Sequence, residues 1–486
     1  MKRRPDPIAA VRRNTSPSRP LMVLLFLALF FGLFRQDAEA AQVQFSHSGF
    51  LEYEYFLNTE IEQDFNDASK KHQLRNHTQF RSGTETLYLY LVSNQYYLAD
   101  SSGSPEGKGF RYAEESQVSR NLTLSSENYE ISFNEFYLNY STPNFRMRAG
   151  NQVYGWGTTD VTNPTAYFNP PDIREFVFRG EDESKPGIPS LSGMAFMDAF
   201  TLEVVFAPVH VPEISAPNND FWAIQVAYPN THRLYFETED GLDVTLENAG
   251  LGARLTTNFG GADMAVSFYR GPDNKSDAIK VPTEIRYIPN DYLQIAVEPS
   301  HEIIHAFGAD FSMTVNQFVV QLEAIYSPDN PALVDQEDKP FSDLIFPFQV
   351  KKTDYVAFAA GFNWFVPLHT ILEGHEGESV FTCEYSKAMN LDSDVSKPFV
   401  PDLLTFRYDD SFLESTLSTS FTAVIDTQSG SYILWPQIGY DFQNGFKTDI
   451  SYGYIKGTGK DSGIFDPIFH YFDTNDVIMW RLRYEY

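Results

Sequence analysis

The segment with the most explicit chemical pattern is His301-Glu302-Ile303-Ile304-His305, which matches the H-E-x-x-H motif of zinc peptidases. That motif binds zinc only on a helix, where residues i and i+4 are neighbours. Here the flanking residues alternate between apolar and polar, which predicts a strand, and residues four apart on a strand are separated by about 13 Å. Two imidazoles that far apart cannot both reach one zinc ion at about 2.1 Å. A hydrolase is therefore the least favoured of the three functions considered for this chain, after a channel and a non-conducting barrel.

The remaining reactive residues form no catalytic pattern. His369 and the segment His375-Glu376-Gly377-Glu378 lie in a loop-like stretch, which we interpret as a solvated acidic loop in preference to a divalent-metal site. The chain has ten His residues but no G-x-S-x-G segment, and its single cysteine, Cys383, excludes a disulfide framework. We predict no catalytic residue, no cofactor and no metal site.

Charged residues that recur on one side of alternating segments indicate function more strongly than the histidine motifs do. If the apolar side of each segment faces lipid, the opposite side faces an interior. The residues assigned to that interior are Glu135, Arg146, Arg148, Asp310, Glu323, Glu384, Arg481 and Arg483. Fixed charges of opposite sign set selectivity in pores. The alternative is that these residues pair with one another and only rigidify the wall.

The central segment is 145–189. It begins as a strand, with Phe145, Met147 and Ala149 on one side and Arg146 and Arg148 on the other. The alternation stops at Gly155-Trp156-Gly157, and a long stretch rich in Asn, Pro and charge follows. Loops longer than about 15 residues in a compact fold are usually functional or disordered, and the aromatic content of this one predicts order.

Two roles remain open for that loop. It folds inward as a constriction, or it forms a plug or a docking face for a partner, and we favour the constriction. The residues predicted to line an eyelet are Trp156, Asp160, Asp172, Arg174, Glu175 and Arg179.

The elements that would position these residues are β-strands of a membrane barrel. Alternating segments recur along the chain, with short turns and long acidic stretches in alternation between them, as in outer-membrane barrels. The segments 73–98, 284–297 and 412–425 are each interpreted as one strand region. The segment 476–486 alternates throughout and ends on Tyr486, like the terminal strand that barrel-assembly machinery recognises. At 25 to 30 residues per strand we predict about 16 strands, within a range of 14 to 18.

The first forty residues are predicted to be a secretory signal peptide, with a basic start, an apolar run from Leu21 to Phe34 and a small-residue cleavage site before Ala41. The barrel domain is then 41–486. The whole chain carries −29 at pH 7 and residues 1–40 carry +4, which leaves −33 for the mature chain. So acidic a chain repels nucleic acid, and nucleic-acid binding is excluded.

The motifs around the central segment resemble a family of Gram-negative outer-membrane barrels known only as a domain of unknown function. The residues that carry this resemblance are Gly150-Asn151-Gln152, Trp156-Gly157, Asp160, Asn163-Pro164, Pro171-Asp172 and Arg174, together with Asn134-Glu135, Tyr137, Gly308, Asp310, Ser312, Glu323-Ala324 and Tyr326. Asn151 stands where members of the family have Arg, so any role of that Arg does not carry over. The resemblance implies a porin-like barrel and names no solute.

Taken together, the sequence predicts an all-β, antiparallel outer-membrane barrel that passes small solutes through a charged constriction. The alternative is a non-conducting barrel that houses or docks a periplasmic transport or electron-transfer partner. The expected partners are outer-membrane lipid, the barrel-assembly machinery through the C-terminal strand, and small solutes. We also expect that the protein can form a homo-oligomer, but no motif in the sequence specifies an oligomeric state.

Overall fold

The computed structural model of the chain describes residues 43–59, 69–100, 109–113, 117–217, 220–223, 226–228, 232–236, 241–274, 278–287, 293–334, 350–372, 375, 377–396, 398, 402–458 and 468–486. The predicted signal peptide, residues 1–40, lies outside them.

The period-2 alternation of the sequence becomes a long antiparallel sheet. We number its main strands β1 to β18 in chain order. They are Gln44–Asn58, Lys70–Gly83, Leu87–Asp100, Tyr129–Ser141, Phe145–Gln152, Ile188–Phe196, Thr201–Ala207, Gly250–Phe259, Ala262–Pro272, Ile303–Val315, Phe318–Leu333, Val350–Phe365, Ser379–Asn390, Leu403–Phe412, Leu417–Asp426, Tyr432–Asp441, Phe446–Lys456 and Val477–Glu485. Each pairs with the next in antiparallel register.

The sheet closes on itself because β1 pairs with β18 in antiparallel register, from Phe50 opposite Glu485 to Asn58 opposite Val477. Two short strands, Gln117–Val118 and Thr123–Ser126, lie outside the ring, since β3 pairs directly with β4. The ring of 18 therefore has no unpaired edge, which is what a sheet surrounded by lipid requires. The prediction of a closed antiparallel barrel is confirmed.

The predicted count of about 16 strands is wrong, because the structure has 18. The segment 73–98 contains two strands joined by a three-residue turn, in which Thr84 and Leu87 bond each other. The segment 412–425 hides a second turn, where Leu413, Glu414 and Ser415 adopt positive φ. Both turns are short and largely polar, and each was included in one predicted strand region. The expected single strand at 284–297 overlaps two strands of a small separate sheet, Ala278–Tyr287 and Leu293–Ser300.

Short and long connections alternate around the barrel. The turns 84–86, 142–144, 197–200 and 260–261 lie at one end, whereas the connections 101–128, 153–187 and 208–249 lie at the other. Short turns mark the periplasmic side of outer-membrane barrels, and long loops mark the outer side. One connection at the short-turn end, 366–378, is longer and contains a 3-10 turn, Leu368–Thr370.

Large apolar side chains are exposed on the outer surface, and polar side chains are buried inside. The exposed set includes Leu51, Phe136, Val266, Phe307, Leu322, Phe421, Ile450 and Trp480, and the buried set includes Glu52, Lys71, Arg75, Asn139, Gln152, Glu323 and Glu384. In water this arrangement would be unfavourable, and in a bilayer it places the apolar band against lipid.

The other elements are small. The strands Val226–Tyr228, His232–Phe236, Ala278–Tyr287 and Leu293–Ser300 form the separate four-stranded sheet. A single helical turn, α1 (Glu181–Ser184), lies in the connection 153–187, and a 3-10 turn, Ile468–Phe472, precedes β18. Among the described residues, no helix combines the length and the hydropathy needed to cross a membrane.

Candidate functional site

The connection 153–187, here called the lumen loop, folds into the barrel. It leaves the wall at the end of β5, where the Gln152 amide donates to the carbonyl and hydroxyl of Ser190 at 3.0 and 3.1 Å and accepts from Ser192 at 2.8 Å. Asn151 donates to the Phe133 carbonyl at 2.6 Å. Both side chains fix the direction in which the loop departs.

The first anchor of the lumen loop is Trp156. Its indole Nε1 donates to Glu203 Oε2 on β7 at 2.8 Å, and its side chain is only 2% exposed. Trp156 belongs to a buried cluster that covers the wall from β6 to β10, formed with Tyr154, Tyr167, Phe168, Ile188, Val205, Ala207, Val211, Tyr269, Ile304 and Ala306. The apolar side of the loop thus packs against the wall.

The second anchor is Glu323 on β11. Its Oε1 accepts the N–H groups of Thr158 and Thr159, the latter at 2.6 Å, and the Thr159 hydroxyl at 2.7 Å. Its Oε2 accepts the N–H and the hydroxyl of Thr165 at 3.3 and 3.0 Å. Five donors converge on one side chain, and only a carboxylate can accept them all.

The third anchor is Glu384 on β13, which holds three successive backbone N–H groups. Its Oε2 accepts from Asp160 and Val161 at 3.0 and 3.1 Å, and its Oε1 accepts from Thr162 at 2.6 Å. The Asp160 side chain is exposed at this point and accepts from Asn363 on β12 at 2.6 Å. The tip of the lumen loop is therefore fixed to β11, β12 and β13. These strands lie six to eight strands away from β5, where the loop begins.

The return half of the lumen loop is held by ion pairs. Arg174 Nε and Nη2 bond Asp172 at 3.0 and 2.7 Å, and the same guanidinium binds both oxygens of Glu130 on β4. Burial opposes ionisation of Asp172, but Arg174 and Arg179 together hold the pKa of its carboxyl below the usual range. These bidentate pairs are of the stronger, geometrically specific kind.

The same cluster continues onto β1, β2 and β18. Lys71 binds Glu54 at 3.2 Å and also binds Glu175 of the lumen loop. Arg481 bonds Glu54 at 2.8 Å and Arg483 pairs with Glu52 at 2.7 Å. Arg75, next along β2, pairs with Glu52 at 3.6 Å and with Glu183 of the lumen loop. Nearly every charge in this part of the lumen is compensated.

Phe176 and Phe178 complete the contact with the wall. They pack in a second buried cluster, which spans β1 and β15 to β18 together with three outer connections. The other members of this cluster are Phe56, Phe110, Phe221, Trp222, Val424, Ile433, Ile455, Phe469, Phe472, Val477 and Met479. The ring of Phe178 lies 5.0 Å from that of Trp435, edge to face. At the level of the lumen loop, much of the barrel cross-section is therefore filled.

The charges predicted to line an eyelet divide into two groups. Asp172, Arg174, Glu175 and Arg179 are enclosed in the ion-pair cluster, because each finds an opposite charge on the loop or the adjacent wall. Asp160 alone of that set is exposed to the lumen. The structure thus brings Asp160, Glu323 and Glu384 together and separates them from the Asp172 cluster.

The charges on β5 lie apart from both groups. Arg148 donates to Asn139 at 3.3 Å and its guanidinium lies 4.9 Å from the Tyr137 ring centre, while Arg146 lies 5.4 Å from the Phe196 ring centre. Neither has a carboxylate within ion-pairing distance among the residues that the structure describes.

Two further acids predicted to face the interior, Glu135 on β4 and Asp310 on β10, are both engaged. Glu135 accepts a hydrogen bond from the backbone of Val153, and Asp310 accepts from Arg254 Nη2 at 2.7 Å. Arg146 and Arg148 thus face the interior without a direct ion pair, although Glu135 and Glu203 are close enough to interact with them electrostatically.

Solvent reaches the inner side of the wall at β14. Arg407 on β14, on the inward side of the wall, keeps 55% of its side chain exposed although it pairs with Asp409 at 2.7 Å. Residues 146 and 148 on β5 lie on the opposite side of the ring, nine strands away.

The motif His301 to His305 is no zinc site. His301 is buried with its ring 4.5 Å from that of His210, whereas His305 is exposed on β10. The prediction that His375 lies in a solvated loop is wrong, since its Nε2 lies 2.9 Å from Asp410 Oδ1 and both side chains are buried. No group of three His, Cys, Asp or Glu able to hold a metal occurs within the described ranges.

The sequence reasoning missed several residues that hold the loop, namely Lys71, Arg75, Glu130, Glu203, Gln321 and Asn363. Lys71, Gln73, Arg75 and His77 alternate in the sequence, which was a usable signal for a polar inner side. Nothing local indicated that Glu203 would meet Trp156.

A closed antiparallel ring with an even number of strands, an apolar outer band and short turns at one end is the architecture of an outer-membrane β-barrel. The predicted localisation in the outer membrane of a Gram-negative bacterium is confirmed.

No family model matches this chain, and no curated protein matches it. It is similar to the solved structures of Acinetobacter baumannii OccAB1 (TM-score 0.48, 7% identity, covering 93% of this chain and 98% of that one) and OccAB2 (TM-score 0.46, 12% identity, 91% and 98%). It is also similar to the Pseudomonas aeruginosa outer membrane protein opdK (TM-score 0.45, 7% identity, 91% and 98%). At these scores and identities none of the three assigns a residue role or a solute to this chain.

Proposed function

We propose that the protein is a porin-like channel that lets small solutes diffuse across the outer membrane through a passage narrowed by the lumen loop. The observation that carries this proposal is the attachment of the loop tip to the far wall by Glu323 and Glu384. A loop that served only to cap the barrel would not need its tip tied to the wall by eight hydrogen bonds.

The selectivity of this channel would come from charges on opposite sides of the narrow region. Asp160 is exposed at the loop tip near β11 and β12, and Arg146 and Arg148 lie on β5 without a direct ion pair among the described residues. Fixed charges of opposite sign across a narrow, low-dielectric passage focus the field on a passing solute. No covalent chemistry enters this mechanism, so we infer a channel and not an enzyme.

A second candidate function is favoured by the two aromatic clusters. They fill much of the cross-section at the level of the loop, which suits a non-conducting barrel that docks a periplasmic transport or electron-transfer partner.

Single-channel recording in a planar bilayer separates the two candidates. The channel proposal expects stable conductance steps, with a several-fold larger step after deletion of residues 160–185, because removal of the loop leaves an 18-stranded lumen. An Asp409→Asn variant, which alters a lumen charge without touching the loop, should keep the wild-type step size. A correctly folded barrel that remains silent would refute the channel and favour the docking barrel. Equal conductance with and without the loop would refute the constriction.

A further inference from the structure

Two buried histidines meet at the outer end of the barrel. His210 lies in the connection 208–249 and His301 comes shortly before β10, and their exposed fractions are 5% and 6%. Their ring centres are 4.5 Å apart, with the rings inclined at 63°. Two imidazoles held this close in a buried place are most stable when both are neutral, because burial disfavours the charged form and like charges repel.

The backbone fixes which nitrogen of His210 carries the proton. The N–H of Leu242 donates to His210 Nδ1 at 3.3 Å. Gly241, at φ +78°, allows this approach, since a Cβ there would lie 2.8 Å from the His210 carbonyl oxygen. A ring nitrogen that accepts a hydrogen bond carries no hydrogen, so the proton of the neutral ring is on Nε2. A second proton can bind only to Nδ1, where it would point at the Leu242 N–H. Protonation of His210 therefore breaks this bond.

The surroundings of His210 add positive charge and no compensating acid. The Nδ1 of His301 lies 2.7 Å from the carbonyl oxygen of Asp273, so Asp273 contacts the pair through its backbone. The charged groups that face His210 are Arg120 and, when it is protonated, His301. The Arg120 guanidinium is held there because it donates to the Leu242 carbonyl. Among the described residues, no carboxylate lies within ion-pairing distance of His210. An imidazolium at this position is thus repelled.

The segment that carries His210 is also bonded to the lumen loop. This outer segment, residues 208–216, accepts the N–H of Ile173 at the Ile214 carbonyl at 2.9 Å. The Ile214 N–H in turn donates to the Pro171 carbonyl at 3.0 Å. The two histidines therefore lie next to the place where an outer connection meets the return half of the lumen loop.

We propose that His210 and His301 form an acid-sensitive latch, which keeps the outer segment 208–216 on the lumen loop at neutral pH and lets it detach as the pH falls. Detachment leaves the tip of the lumen loop in place, because its bonds to Glu323 and Glu384 involve no histidine. The latch acts at the outer mouth, and it does not depend on whether the barrel conducts.

The size of the effect follows from the pKa of His210. Burial, His301 and Arg120 lower this pKa to about 3, whereas a histidine in a detached, hydrated segment has a pKa of about 6.5. The attached state is therefore fully stabilised above about pH 6.5 and is weakened as the pH falls towards 3. At pH 5 we expect detachment to be about 30-fold more frequent than at pH 7.5.

Hydrogen exchange of the refolded barrel at pH 7.5, 6 and 5, corrected for the intrinsic exchange rate at each pH, tests the latch. In the wild type the amides of Ile173 and Ile214 should exchange about fourfold faster at pH 6 than at pH 7.5, and about 30-fold faster at pH 5. The amides of residues 160–162 at the loop tip should not change. No acceleration at Ile173 and Ile214, or equal acceleration at the loop tip, would overturn the proposal.

Two variants show whether His210 is the group that titrates. His210→Asn keeps an acceptor oxygen close to the position of Nδ1 but cannot take up a proton, so exchange at Ile214 should be the same at pH 7.5 and pH 5. His305→Asn is the matched control, since His305 is exposed on β10 and should leave the acceleration of about 30-fold intact. Acceleration that persists in His210→Asn would contradict the latch. The wild-type profile decides the question if that variant does not fold.

Discussion

Replacement of Glu384 by Gln should release the tip of the lumen loop without unfolding the barrel. The carboxylate accepts three N–H groups, from Asp160 at 3.0 Å, Val161 at 3.1 Å and Thr162 at 2.6 Å. Hydrogen bonds to a charged group contribute about 1.5–3 kcal/mol each. Gln keeps one acceptor oxygen and turns an NH₂ group towards the remaining loop donors. We therefore expect local opening to become about 2–3 kcal/mol easier.

This change in local opening is measured by hydrogen exchange and mass spectrometry on a peptide that covers residues 156–166. A loss of 2–3 kcal/mol in the opening free energy corresponds to exchange about 30 to 150 times faster for these three amides. The amides of β17 should not change, because the strand ladder of the barrel does not depend on the loop.

Asp409→Asn is the matched control for Glu384→Gln. Asp409 is also an acid on the inner wall, but it pairs with Arg407 and no hydrogen bond joins it to the lumen loop in the described part of the chain. Unchanged exchange of residues 160–162 in Glu384→Gln would refute the tether. Equal acceleration in both variants would show that general lumen charge holds the loop, and not the specific bonds to Glu384.

Three further predictions concern the surroundings of the loop. Burial, His301 and Arg120 lower the pKa of His210 to about 3, so its contribution to stability is complete above about pH 6.5 and is lost as the pH falls towards 3. At pH 5 the loss is about 2 kcal/mol, and the urea midpoint should fall less between pH 7.5 and 5 in His210→Gln than in the wild type. Trp156→Phe leaves Glu203 buried without its 2.8 Å donor, which should cost about 1–3 kcal/mol in urea unfolding; a midpoint equal to that of the wild type would contradict this role. In Gly453→Ala the new methyl would lie 2.5 Å from the ring of Phe178, so we expect a cost of about 1–3 kcal/mol and faster tryptic cleavage of the lumen loop, whereas wild-type cleavage would argue against this packing.

The sequence by itself determined the architecture, because the alternation of side chains is a local property of each strand. Residues such as Ile450 and Trp480 identify the outer side, and the polar residues between them identify the inner side. Closure follows from the need to pair every strand edge in lipid. The number of strands did not follow, since a turn as short as the three residues 84–86 was included in a single strand region.

The sequence also identified the loop and most of its charges, but not their roles. Asp172 and Arg174 have the same residue types as a pore eyelet, yet they bind each other and Glu130. Glu323 and Glu384 are predicted lumen charges whose observed partners are backbone N–H groups of the lumen loop, 164 and 222 residues away in the chain. The effect of a charge depends on the groups within a few ångströms of it, and around a closed barrel those groups come from strands that only the tertiary fold brings together.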